Sequence, residues 1–203
     1  MATESHIYRM SSAGGMTSDT RYPNMLTNYG DFGAMQRIAY ANSVGTSTAF
    51  FANIPQNYQD LRLVIFSRST FSASLVSLYH WLNGDTGANY SYTFMSGDGA
   101  SATSGRGTNS GIFYSGYIPG ATSTSGIFAA TTIDILNYSN TSTYKTVIAK
   151  TAGDQNGSGR VNLWANLWRN TNAITSFGIG TDGNVSFASG TTVALYGIRA
   201  GNS

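Results

Sequence analysis

Asp85-Thr86-Gly87 is the first string in this 203-residue chain whose residue types suit a reaction. Asp-Thr-Gly is the signature of aspartic proteases, in which two such aspartates face each other and share one proton. One copy in a chain of this size would require a homodimer. Asn83-Gly84 separates the aspartate from Leu82, however, and no second apolar run with glycine follows at the expected place. A glycine-rich hairpin turn, with Asp85 bonding its own backbone, accounts for the same residues. Asp154-Gln155-Asn156-Gly157-Ser158-Gly159 begins like a calcium loop, with oxygen donors at alternate positions before a glycine. Ala165 stands where the closing glutamate belongs. A turn between two strands explains these residues too, and any ion held there would be structural.

The two histidines, His6 and His80, offer little for nucleophilic catalysis, because no Gly-x-Ser-x-Gly elbow accompanies them. His80, beside Trp81, reads as a half-buried strand residue. Gly105-Arg106-Gly107-Thr108-Asn109-Ser110-Gly111 has the glycines of a phosphate loop but not its Lys-Ser/Thr ending, and reads as a flexible loop. The aspartates sit mostly in glycine-rich turns, so no carboxylate pair is nominated for glycoside hydrolysis. No catalytic, cofactor-binding or metal-binding residue follows from the sequence. The aromatics remain. Trp81, Trp164, Trp168 and many of the 13 tyrosines suit sugar stacking or a subunit interface. Trp164 and Trp168, four apart, face one side of a strand, where core packing is the ordinary role.

Positioning such residues falls to strands. Apolar or alternating runs occur at 34–41, 48–52, 61–68, 75–82, 90–95, 112–118, 127–136, 144–150, 161–167, 174–179 and 193–199. Turn residues that accept positive φ lie between them, as in Asn83-Gly84 and Asp182-Gly183-Asn184. Residues 166–173 have room for one helical turn. Composition agrees: charged residues are 10% of the chain, with one glutamate (Glu4) and two lysines (Lys145, Lys150). Those are good surface helix formers, and their scarcity argues against exposed amphipathic helices. Gly, Ser, Thr and Asn supply roughly 45% instead. The prediction is an all-β, antiparallel, jelly-roll-like β-sandwich over residues 34–203, preceded by an extended N-terminal arm over 1–33.

The net charge of +2 is spread along the chain, with no basic cluster to track phosphates, which argues against nucleic-acid binding. Zero cysteine removes disulfides and thiolate metal sites. No apolar run reaches bilayer length, and the first residues lack the pattern of a signal peptide.

The stretch Asn53-Ile-Pro-Gln-Asn-Tyr-Gln-Asp-Leu-Arg-Leu-Val-Ile-Phe-Ser-Arg68 resembles a widespread family of tailed-bacteriophage virion proteins. The pattern is Ile-Pro-x-x-Tyr-x-x-Leu followed by an alternating strand that ends in Arg. The similarity continues through Leu82-Asn-Gly-Asp-Thr-Gly-Ala-Asn-Tyr-Ser91 as a hairpin turn and Ile133-Asp-Ile-Leu-Asn-Tyr138 as an edge strand. It ends with Ala194-Leu-Tyr-Gly-Ile198 as the last strand. It covers about residues 45–200.

The resemblance implies a non-enzymatic virion structural protein, in head-decoration or tail-fibre-associated positions. The leading expectation is a capsid decoration (cement) protein on the particle exterior. It would be a homotrimer or similar homo-oligomer that contacts major capsid or tail proteins through the arm and an aromatic edge. The alternative is a tail-fibre or tail-associated receptor- or carbohydrate-binding module whose Trp and Tyr hold a host glycan. Either places the chain on the virion, at the capsid or tail surface, without cofactor, nucleic acid or membrane.

Overall fold

Twelve strands make up the chain over residues 35–42 and 44–200, the part that this computed structural model describes. The expected arm, 1–33, lies outside the described residues. The strands are β1 (Met35–Ala41), β2 (Thr48–Phe51), β3 (Asp60–Ser67), β4 (Leu75–Leu82), β5 (Tyr90–Gly97) and β6 (Ala102–Ser110). They continue as β7 (Phe113–Pro119), β8 (Ala129–Ile135), β9 (Lys145–Asp154), β10 (Gly159–Trp168), β11 (Phe177–Thr181) and β12 (Thr192–Ile198). Eight form a large sheet in the order β1-β12-β3-β8-β9-β10-β5-β6, and four form a small sheet, β2-β11-β4-β7. Every pairing is antiparallel, and the two sheets pack as a sandwich, as the alternating runs predict.

Alternation sets which side chains reach the core. In β3, Leu61, Leu63 and Ile65 are buried, while Arg62, Val64 and Phe66 point outward. In β4 the inward set is Val76, Leu78, His80 and Leu82. Between β4 and β5, Asn83 and Gly84 both have positive φ (52° and 67°), and Asp85 N–H donates to Leu82 O at 2.9 Å. That is the tight two-residue turn that Asn-Gly favours, but not the expected hairpin: β4 lies in the small sheet and β5 in the large one, so the chain crosses between sheets here.

Three more expectations need correction. Residues 105–111 are not a flexible loop: most of them lie in β6, the edge of the large sheet, whose neighbours along β5 leave no room for side chains. A Cβ on Gly105 would stand 2.7 Å from the Phe94 ring, and one on Gly107 would stand 2.5 Å from that of Tyr92. Residues 166–173 hold no helical turn; β10 runs through Trp168 and the rest is irregular. β8, which carries Ile133 to Ile135, is central, between β3 and β9, and not an edge.

The residues that carry the resemblance meet at one end of the sandwich. Tyr138, fully buried, donates its hydroxyl to Pro55 O, and Ile54 N–H donates to Thr175 O at 3.0 Å. The Tyr58 ring lies over Gly197 of β12. Arg68, just past β3, holds the crossover from β7 to β8 through its guanidinium.

Candidate functional site

The side chains singled out for chemistry go mostly to structure. Asp85 accepts hydrogen bonds from Trp168 Nε1 (2.7 Å), Asn89 Nδ2 (2.9 Å) and Gly87 N–H (2.8 Å). Burial alone would raise its pKa, but the three donors outweigh that and hold it below the usual carboxylate range. The carboxylate ties the β4–β5 crossover to the end of β10; it bonds its own stretch of backbone as expected, but that stretch joins two sheets and is not a hairpin. At 154–159, Gln155 N–H donates to Ser158 O and Gly157 N–H to Asp154 Oδ1, closing a β9–β10 turn. Ala165 lies within β10, away from that turn. Among the described residues, no three His, Cys, Asp or Glu side chains gather as a metal site would require.

His80 is fully buried, not half-buried, because β4 turns its bulky Tyr79 and Trp81 outward and the histidine inward. It sits between the rings of Phe113 and Phe177, at centroid distances of 4.7 and 5.1 Å. Its Nδ1 shares a hydrogen bond with Ser115 Oγ at 2.6 Å, and Nε2 has no partner. Burial lowers its pKa to about 3. Trp164 and Trp168 lie on the inward side of β10 and are buried, as their four-residue spacing predicts. His6 lies outside the described residues.

Two surfaces remain. The first is the outer face of the large sheet. Tyr40, Ala194, Val64, Thr132, Lys150, Leu163, Met95 and Ser104 stand side by side across its eight strands. The next row holds Phe66, Ala130, Ala152 and Val161. Apolar members are well exposed: Val161 65%, Met95 57%, Phe66 48%, Leu163 40%. Arg62 pairs with Asp134 at 2.5 Å and Arg37 lies 5.0 Å over the Tyr40 ring, and Lys150 and Arg106 add two further cations in this region. A shallow depression of about 290 Å³ opens near Arg106, between Thr93, Thr108 and Leu167. Scattered exposed apolar side chains are ordinary, whereas large contiguous patches of them are the kind of surface that contacts use.

The second surface is aromatic and lies on the opposite side of the sandwich. Gly178 of β11 pairs with Phe50 on one side and Trp81 on the other; Gly180 pairs with Tyr79, which pairs in turn with Tyr114. A Cβ on Gly178 would strike the indole, with Cε2 nearer than either Cζ2 or Nε1. Since Cε2 is bonded to both, this order puts the ring's face, not its edge, over the glycine. Tyr79 lies near Gly180 in a similar way, its Cε2, Cζ and Oη each 3.0 Å from such a Cβ. Beyond the β7 edge the aromatics continue: Tyr114 meets Tyr92 at 5.5 Å and Trp164 at 5.6 Å, and Trp164 stacks on Phe94 at 4.3 Å.

No family model, curated protein or solved structure matches this chain. The chemistry of both surfaces is therefore argued from their geometry. Of the second, only the tryptophans and tyrosines are legible in the sequence, and only as types. The missed signal is non-local: Tyr79-His-Trp81 stands opposite Gly178-Ile-Gly180, and Tyr92-Thr-Phe94 opposite Gly105-Arg-Gly107. An aromatic-x-aromatic strand paired with a Gly-x-Gly strand lays rings across a bare backbone, the arrangement in which aromatic residues protect glycines in sheets.

Proposed function

We propose that this chain is a non-enzymatic structural subunit of a tailed-phage virion, a capsid decoration protein held on the particle exterior through the outer face of its large sheet. The observation that supports this reading is that face: registered rows of exposed Val, Leu, Met, Phe and Ala with few charges. Covering such a surface removes apolar area from water and desolvates few ions. The resemblance around Ile54-Pro55 and Arg68 supplies the virion context. A partner that fits is a capsid protein surface, apolar at its centre and acidic where it meets Lys150 and Arg106, engaged by a trimer or similar symmetric oligomer.

The test is co-sedimentation of purified full-length protein with particles that lack it. Leu163→Glu combined with Met95→Glu puts two adjacent carboxylates on the face without touching the core. The variant is expected to melt near the wild-type temperature, since exposed substitutions usually change stability by about 0.5 kcal/mol or less. Particle binding is expected to fall by about tenfold or more. Wild-type binding by this variant would remove the face from the attachment.

A further inference from the structure

We infer that the outer face of the small sheet binds the apolar face of an uncharged sugar ring, with Trp81 as the stacking platform. The underside of the indole is sealed against Gly178, whose missing Cβ lets the ring lie flat, so its other face is turned away from the sheet. Trp81 is half-buried, unlike Trp164 and Trp168. Phe50, 55% exposed, lies across Gly178 from it, and Tyr79 sits 6.0 Å away with its ring tilted by 37°. The platform is thus wider than one ring.

Its rim is polar. Asp182, in the 3-10 turn Asp182–Asn184 that follows β11, acts electrostatically on both Tyr79 and Tyr114. Burial first and Asp182 second raise both phenols above their ordinary range, so both hydroxyls are neutral donors and acceptors. The Asp182 carboxylate has no ion pair among the described residues. A flat apolar floor beside phenols and an unpaired carboxylate matches a pyranose, which carries C–H bonds on its ring face and hydroxyls around its edge.

Two other ligands fit less well. A nucleobase also stacks on aromatic rings, but its phosphates need cations. Here the rim carries Asp182, while Arg160, stacked on Tyr117 at 4.9 Å, is already near Asp98. A protein partner favours anchor side chains in deep pockets, and a floor built on glycines has none. The inference does not depend on the virion reading. The two join in one respect: a subunit attached through its large sheet presents this floor away from the particle.

The experiment places full-length protein on an array of immobilised neutral and N-acetylated oligosaccharides, then titrates the strongest binder in solution. Because Trp164 and Trp168 are buried, a change in tryptophan emission reports Trp81. Saturable binding with an emission shift is expected, weakened about tenfold or more by Trp81→Ala and by Asp182→Asn. Asp182→Asn removes no core contact, so it decides the matter if Trp81→Ala, which uncovers Gly178, loses stability. Absence of saturable binding overturns the inference, as does wild-type affinity in Asp182→Asn or tighter binding to oligothymidylate. Trp81→Ala is expected to bind particles normally, which separates this site from the attachment face.

Discussion

Lowering the pH from 7 to 4.5 is expected to destabilise the protein by about 2–3 kcal/mol, through His80 alone. The folded pKa of about 3 lies below the ordinary value of 6.5. The unfolded chain therefore takes up the proton first as pH falls. The stability is fully present above about pH 6.5 and is lost progressively toward pH 3. The cause is geometric. A protonated imidazole would carry a second N–H donor at Nε2, where no acceptor exists, between two phenyl rings. For a domain of this size the melting temperature should fall by roughly 4–12 °C over that interval. His80→Phe keeps a ring between Phe113 and Phe177 and cannot titrate, so its stability should be nearly flat over the same range. Stopping at pH 4.5 keeps most carboxylates ionised. An equal slope in wild type and His80→Phe would show that another group carries the acid sensitivity.

Arg68→Met is expected to cost about 2–4 kcal/mol, from carbonyls left without donors. The Arg68 guanidinium is buried and serves four backbone acceptors. Nη1 donates to Thr124 O (2.7 Å) and Ile127 O (3.0 Å), Nη2 to Ser123 O (2.9 Å) and Ala121 O (3.4 Å). All four lie in the connection that leaves β7 of the small sheet for β8 of the large one. One side chain at the end of β3 thus holds the crossover between sheets in place. Arg68→Lys should recover only part of the loss, because an ammonium lacks the planar fork that reaches carbonyls on both sides. Thermal unfolding of the three proteins checks this, and a full rescue by lysine would show that charge, not the fork, is what matters.

Arg68 also shows what the sequence made legible. As the last residue of an alternating strand it belongs to the stretch that carries the virion resemblance, yet nothing local reveals that its partners are main-chain oxygens more than fifty residues away. Alternation located β3, β4 and β5, because each puts one set of side chains inside. The Asn83-Gly84 turn was readable because both of its central positions need positive φ, but nothing local reveals that it joins strands of different sheets. β6 was not readable, because its inward positions are glycines and its period of two vanishes. Only the rings of Tyr92 and Phe94 on the next strand explain them. The burial of His80 is hidden in the sequence for a related reason: the two bulkier residues beside it, Tyr79 and Trp81, face outward.

The charge deficit is sharper in the fold than in the composition. Of the two lysines, Lys145 is buried, its Nζ donating to Thr143 O (2.8 Å) and Thr171 O (3.1 Å), and burial lowers its pKa. Lys150 alone stands on the outer face of the large sheet. On the proposed reading the outer face of the large sheet is the side that is covered, and the aromatic floor on the other side stays open.

The most direct test of that account is electron microscopy of intact particles carrying gold-labelled protein. Attachment as a decoration subunit predicts label distributed over the head in a regular lattice, lost when Leu163→Glu and Met95→Glu are combined. Label confined to the tail, or absent from the particles, would contradict it.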